Sequence, residues 1–352
     1  MKTKIIKINP KKIEISKIKK AAKILRNGGL VAFPTETVYG LGADALNPKA
    51  VKKIFETKGR PSDNPLIIHI ANKEEIYILI KELPKGTKTL MNKFWPGPLS
   101  LVLKKSKIVP EITTAGLDSV AIRMPANKIA LSLIKETKMP IAAPSANLSG
   151  KPSPTRAERV ISDLYGKIDA IINGGITKIG VESTVLDLTT NPPTLLRPGG
   201  ISLEELEKIL GKVKIHRLVK ERKLKKIVVK SPGMKYKHYA PKAKIIVVEG
   251  KYERVKKKIQ QLVNKYGKER KIVGVMTADE DHNYKANVIK FMGNEFNTIA
   301  KNLFNYFRDF DKEKVDIIIA EGVGDKGLGL AIMNRLKRAS SKTIKLSAWQ
   351  KS

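Results

Sequence analysis

Short apolar runs that break off into dense polar or Gly/Pro clusters recur from Leu30 to Gly200, and they leave few folds open. Leu30 to Phe33 runs into Pro34-Thr35-Glu36-Thr37-Val38-Tyr39-Gly40. Lys58-Gly59-Arg60-Pro61-Ser62-Asp63-Asn64-Pro65 leads into Leu66 to Ile70, with His69 inside. Val120 to Ile122 ends on Arg123, and Pro140 to Pro144 on Ser145-Ala146-Asn147. Glu182-Ser183-Thr184 opens Val185 to Leu188, and Leu195-Leu196 ends on Arg197-Pro198-Gly199-Gly200. In α/β sheets ligands sit at strand ends, where loops supply polar groups on a rigid scaffold. Thr, Ser, Asn, Lys and Arg there suit a ligand rich in phosphate and carboxylate oxygens.

Helices alternate with these runs from Ile13 to about Gly211. Ile18, Ala21, Ala22 and Leu25 repeat at helical spacing, and Gly28-Gly29 stops that helix before Leu30. Asn47 and Pro48 open a second helix to Thr57, as N-cap and first helical residue. Ser202 to Leu210 carries the capping-box pattern Ser202-x-x-Glu205. Such alternation predicts an α/β domain. The start, Met1-Lys2-Thr3-Lys4-Ile5-Ile6, reads as an edge strand rather than a signal peptide.

At 352 residues, two domains are expected. Between Gly211 and Lys230 the chain turns basic, and Ser231 to Pro241 follows with Tyr236, Lys237, His238 and Tyr239. This stretch is expected to be a linker, 212–241, between a catalytic domain at 1–211 and a second domain at 242–352, and it is a candidate active-site lid. Beyond it Ile245 to Val248, Ile272 to Val275 and Val315 to Ala320 read as strands. Phe296, Ile299, Leu303, Phe304 and Phe307 mark one helical face. That order predicts a small parallel Rossmann-like sheet.

Several chemistries are excluded or disfavoured. Zero cysteines removes disulfides, thiolate catalysis and Cys-based zinc, and four scattered histidines lack metal-ligand spacing, so no built-in metal is expected. No apolar stretch approaches the roughly 18 residues of a membrane span, and the cytoplasm is the expected location. The net charge of +36 attracts polyanions, but aromatics are only 5%, so no base-stacking platform is evident. Gly322-Val323-Gly324-Asp325-Lys326-Gly327 fits G-x-G-x-x-G, yet the remaining residues look helical and basic, without the following strand or acidic residue. A glycine-eased turn is the expected reading.

Taken singly, the candidate site residues also have plain readings. Lys58 and Arg60 suit a triphosphate, or merely end a solvated helix. Ser145, Asn147 and Ser183 suit an anion, or ordinary turn chemistry. His69 could be a satisfied core histidine. Arg123 and Arg197 are less easily dismissed, because strand interiors rarely take in an unpaired arginine.

Together the clusters carry a resemblance. Pro34-Thr35-Glu36-Thr37-Val38-Tyr39-Gly40-Leu41-Gly42, Lys58-x-Arg60-Pro61, Asn64-Pro65-Leu66, Trp95-Pro96-Gly97-Pro98-Leu99, Pro144-Ser145-Ala146-Asn147, Glu182-Ser183-Thr184 and Leu196-Arg197-Pro198-Gly199 occur in this order. The chain resembles the threonylcarbamoyl-AMP synthases of the YrdC-like family, in their long form with a Rossmann-like C-terminal domain. The resemblance spans essentially the whole chain.

It implies a YrdC-like twisted mixed sheet with surrounding helices and a concave positive site. It also implies that L-threonine, bicarbonate and ATP become threonylcarbamoyl-adenylate with release of pyrophosphate. A threonylcarbamoyl transferase complex would then use the product at adenosine 37 of ANN-decoding tRNAs, and direct tRNA or RNA contact is a candidate. Lys58 and Arg60 would carry the chemistry. Arg60, Asn64, Ser119, Ser145, Asn147, Ser153, Ser183, Arg197 and Tyr236 would bind ATP. Thr37, His69, Arg123, the backbone at Ala143, and Ser183 would bind threonine. Mg²⁺ would arrive with ATP, since no carboxylate cluster offers a cage. Two rivals are a basic RNA-binding protein without adenylate-forming activity, and the carbamoyl-adenylate chemistry of hydrogenase maturation proteins. The cysteine-rich zinc modules of those proteins have no counterpart here.

Overall fold

The Lys/Ile alternation near the N-terminus becomes β1 (Lys4–Lys7), the edge strand of an 11-stranded sheet. A computed structural model describes residues 2–220 and 240–346. The other strands of this sheet are β2 (Val31–Pro34), β3 (Tyr39–Asp44), β4 (Ile67–His69), β5 (Leu99–Lys104), β6 (Ser119–Arg123), β7 (Ile141–Ala142), β8 (Ala170–Asn173), β9 (Thr184–Asp187), β10 (Thr194–Arg197) and β11 (Lys214–Ile215). Their order is β1-β8-β2-β3-β7-β4-β6-β5-β9-β10-β11, and parallel and antiparallel pairs are mixed.

Two helices cover part of this sheet. Ile18, Ala21, Ala22 and Leu25 of the helix Ile15–Arg26 are buried with Ile129, Ala130, Leu133 and Ile134 of the helix Lys128–Thr137. They meet Val31, Phe33, Ile141 and Ile172 of the strands. The helix Pro48–Lys58 starts as its sequence predicts, with the Asn47 side chain accepting from the Lys49 and Ala50 N–H groups. The capping box of Ser202 and Glu205 is also present, at the start of the helix Leu203–Leu210.

The glycine-rich β3 is the element that the sequence hides best. It pairs with β2 as an antiparallel hairpin whose turn is Thr35-Glu36-Thr37-Val38. A Cβ on Gly42 would sit 2.8 Å from Phe33 and 2.9 Å from Ile141, so only glycine lets these strands approach.

Residues 2–149 with 153–220 form one compact unit of the described chain, and 150–152 with 240–346 form another. The first unit takes in the start of the basic stretch expected to be linker. Lys214 and Ile215 pair in parallel with β10, and Leu218 of the helical turn Arg217–Lys220 is buried with Ile67, Val102, Ala121, Val185 and Leu196. Isolated apolar residues in a lysine-rich run give too little periodicity to announce such a strand.

The second unit is an all-parallel sheet of β12 (Lys244–Gly250), β13 (Val273–Thr277), β14 (Val288–Phe291), β15 (Ile317–Glu321) and β16 (Lys342–Leu346), in the order β14-β13-β15-β12-β16. On the helix Phe296–Lys312, Ile299, Leu303, Phe304 and Phe307 are buried as their spacing predicts, whereas Phe296 is partly exposed at the first turn. The glycine turn 322–327 corrects one expectation. A strand does follow it: the helix Leu328–Ala339 leads to β16 beside β12. Lys342 and Lys345, three apart, give that strand the look of a continued basic helix. No Asp or Glu follows Asp325, so the acidic residue of a dinucleotide site is still missing. Two of the turn's glycines have a structural reason: a Cβ on Gly322 would lie 2.8 Å from the Glu249 side chain, and Gly327 has a left-handed φ of 57°.

Candidate active site

The parallel pair β4 and β6 sets His69 directly beside Arg123 in register, after Ile67 beside Ala121. Side chains two apart on a strand share a face, so both polar groups extend the face of Ile67 and Ala121. His69 and Arg123 are the last residues of β4 and β6, as a site at strand ends requires, while Ser119 opens β6 and Asn64 precedes β4 at the opposite end of the same pair.

Arg123 is buried, and all three guanidinium nitrogens have protein partners. Nε donates to the Gly97 carbonyl at 3.2 Å, and Nη1 donates to the Thr37 hydroxyl at 3.0 Å. Nη2 lies 2.7 Å from Glu36 Oε1. Thr35 donates its proton to the Val38 carbonyl, so the 2.8 Å contact between the two threonine hydroxyls runs from Thr37 to Thr35. A chain of donors therefore links Arg123 through the β2–β3 turn to the backbone. Gly97 is required where it stands, since a Cβ would meet the Phe94 carbonyl oxygen at 2.1 Å. His69 is buried, and Nδ1 lies 3.1 Å from the Ile67 carbonyl oxygen. Burial, and then the charge of Arg123, push its pKa down to about 3, so the ring is neutral at ordinary pH.

Lys58 overturns the reading of a solvated helix end. It is buried at the last residue of its helix, and Nζ donates to the backbone carbonyls of Ser145 and Asn147. The Ser149 N–H returns a bond to the Lys58 carbonyl at 2.8 Å. Gly59 then turns the chain in the left-handed conformation, and Arg60 donates to the carbonyls of Asn64 and Pro65. Both cations thus grip loop backbone. The Asn64 amide is buried, and neither its nitrogen nor its oxygen has a hydrogen-bond partner among the described residues. The Ser119 hydroxyl is in the same state. Buried polar atoms are nearly always paired, so these two groups, one before β4 and one opening β6, are candidates for pairing with a ligand.

Ser183 joins a second cluster. Its hydroxyl lies 2.8 Å from that of Ser100 and accepts from Arg197 Nη2 at 3.0 Å, while Arg197 Nε donates to the Ser183 carbonyl at 3.0 Å. Gly199 lets this turn close, because a Cβ there would lie 2.2 Å from the Thr184 nitrogen. Ser153 is buried and donates to Glu182 Oε1 at 2.5 Å. The Ala143 N–H is used by the sheet, donating to Ile67.

Residues 23–199 match the family profile of the Sua5, YciO and YrdC proteins, described as Telomere recombination. Residues 201–341 match the threonylcarbamoyl-AMP synthase C-terminal domain. A threonylcarbamoyl-AMP synthase of Pyrococcus abyssi is 56% identical over 333 residues, which are 95% of this chain and 96% of that protein. The chain belongs to the threonylcarbamoyl-AMP synthase family. The Bacillus subtilis synthase is 52% identical over 328 residues, 92% of each chain. The crystal structure of P. abyssi Sua5 complexed with L-threonine has a TM-score of 0.94 at 55% identity, covering 98% of this chain and 100% of that one. The synthase fold thus includes both units.

Direct contacts join Thr37 to Arg123, Lys58 to the backbone of Ser145 and Asn147, and Ser183 to Arg197. Tyr236 and most of the expected lid lie outside the described residues. Sequence reasoning gave no role to Glu36, Gly97, Ser100 or Glu182, although all but Ser100 stand in the quoted motifs. Their roles come from partners far away in the chain, and no local pattern announces those. Among the described residues no cluster of three or more His, Cys, Asp or Glu could hold a metal ion, and no helix is long and apolar enough to cross a membrane.

Proposed function

We propose that this site joins L-threonine, bicarbonate and ATP into L-threonylcarbamoyladenylate and releases pyrophosphate. Arg123 is the observation that carries the reading. It is a buried guanidinium held by three protein partners beside a neutral histidine, in a chain closely similar throughout to a protein solved with L-threonine. A prepaid, desolvated arginine fits a carboxylate by its planar fork. Thr37 and His69 flank it and serve the rest of the amino acid, with Ser183 and the backbone at Ala143.

The reaction needs position and charge more than proton transfer. Bicarbonate loses water to give CO₂, and the neutral threonine amine adds to its carbon and releases a proton to leave a carbamate. A carbamate oxygen then attacks the α-phosphorus of ATP, and the bond to pyrophosphate breaks. Stabilising that leaving charge is the main demand on the protein. Arg60, Asn64, Ser119, Ser145, Asn147, Ser153, Ser183 and Arg197 hold the nucleotide in this scheme. Lys58 fixes the turn that carries Ser145 and Asn147. Mg²⁺ enters as part of the ATP substrate. The expected setting is the cytoplasm, where a transferase complex takes the product to tRNA, and the basic surface favours RNA contact.

Supplying ¹³C-bicarbonate tests the reading. With ATP and L-threonine present, mass spectrometry should find an adenylate that carries the label in its carbamoyl carbon. An adenylate without the label, or none, would refute this chemistry.

A further inference from the structure

Among the described residues Glu36 forms an ion pair with Arg123 through one oxygen, and its other oxygen is left open. The residue lies in the tight β2–β3 turn, 4% exposed. Its backbone carbonyl accepts from the Ile179 N–H at 2.8 Å, which fixes the turn that carries the side chain. Oε1 lies 2.7 Å from Arg123 Nη2. Both carboxylate oxygens are buried without a hydrogen-bond partner among the described residues, so the Oε1 contact is a close ion pair and Oε2 has no partner of either kind. A buried carboxylate oxygen left without a donor is expensive, and proteins keep such a group where a ligand supplies the donor.

The chemistry of that donor follows from the neighbour. Arg123 and Glu36 form an ion pair of zero net charge whose positive end carries donors and whose negative end has an open acceptor. An α-amino acid is the mirror of this arrangement, with its carboxylate and ammonium on the same α-carbon. A molecule whose carboxylate approaches Arg123 brings its α-nitrogen towards the side of the guanidinium where Glu36 sits.

We infer that Glu36 is a substrate-binding residue, whose Oε2 accepts a hydrogen bond from the α-ammonium of the amino-acid substrate while Oε1 holds Arg123 in place. The site is then selective for a zwitterion rather than for any hydroxy acid of the same shape. This inference rests on the assignment of Arg123 to the substrate carboxylate.

Calorimetric titration tests it with L-threonine and with 3-hydroxybutyrate, which keeps the carboxylate, hydroxyl and methyl but lacks the amine. The unaltered protein should bind threonine about 10-fold or more tightly than the amine-free acid, the effect of one charged hydrogen bond. Equal affinity for the two would overturn the inference without any variant. In Glu36→Gln the preference should collapse, threonine weakening towards the affinity of 3-hydroxybutyrate. In Glu36→Asp, which keeps the charge on a shorter stem, part of the preference should return. A Glu36→Gln protein that still prefers threonine as strongly as the parent, or that weakens for both ligands equally, would assign Glu36 to support of Arg123 alone. Arg123→Lys separates the two assignments. Unchanged threonine affinity there refutes the carboxylate role of Arg123, whereas weakened binding with an intact preference in Glu36→Gln refutes only the role of Glu36.

Discussion

Arg123→Leu is expected to abolish measurable L-threonine binding and to lower the stability of the first unit markedly. The substitution removes three donors at once and leaves the Glu36 carboxylate buried with no counter-charge. Breaking a buried pair from one side costs about 3–5 kcal/mol, because the surviving charge is neither solvated nor compensated. Double replacement with Glu36→Leu should therefore recover much of the stability and none of the binding, a separation that denaturant titration and calorimetry would show together. Unchanged threonine affinity in a folded Arg123→Leu protein would remove Arg123 from the amino-acid site.

Lys58→Met is expected to give the second large effect, on turnover. Methionine keeps the buried stem of the side chain and deletes only the ammonium, so the helix Pro48–Lys58 should persist. What is lost is the grip on the Ser145 and Asn147 carbonyls, two of the bonds that tie the turn after β7 to that helix, while the Ser149 N–H bond to the Lys58 carbonyl remains. Hydrogen bonds to a charged group contribute about 1.5–3 kcal/mol each, and even one such loss corresponds to about 10–150-fold in rate if the turn must be in place for the transition state. Pyrophosphate release should fall by that order, and amide exchange at Ser145 to Leu148 should quicken. Near-parental turnover with fast exchange would show that the turn orders itself around ATP without Lys58.

Much of the fold was legible because it rests on local signals. Helical spacing at Ile18, Ala21, Ala22 and Leu25, the Asn47 cap and the Ser202–Glu205 box all stand where the residues placed them. Strands with ordinary apolar sequences, β5, β8 and β14, also went unnamed, but two others have sequences that look unlike strands. β3 contains two glycines at close approaches, and β16 carries Lys342 and Lys345, charges that suit an edge strand. The site divides in the same way. Arg123 and Arg197 were visible because a cation at the end of an apolar run is unusual. Glu36 was not, because a carboxylate in a Thr-rich turn looks solvated until the partner 87 positions on is placed against it. Lys58 was read for its charge alone, while its position at a left-handed glycine turn makes it a clamp on backbone carbonyls.

Pyrophosphate release, with each substrate withheld in turn, is the measurement that tests most directly whether one site joins all three. Full release should require ATP, L-threonine and bicarbonate together, and withholding any one should stop it. Substituting L-valine, which has the size of threonine without the hydroxyl, should also fail, since a site built to bond a hydroxyl rejects its analogue by orders of magnitude. Release at the same rate from ATP alone, or tight salt-sensitive RNA binding with no release under any combination, would contradict the account.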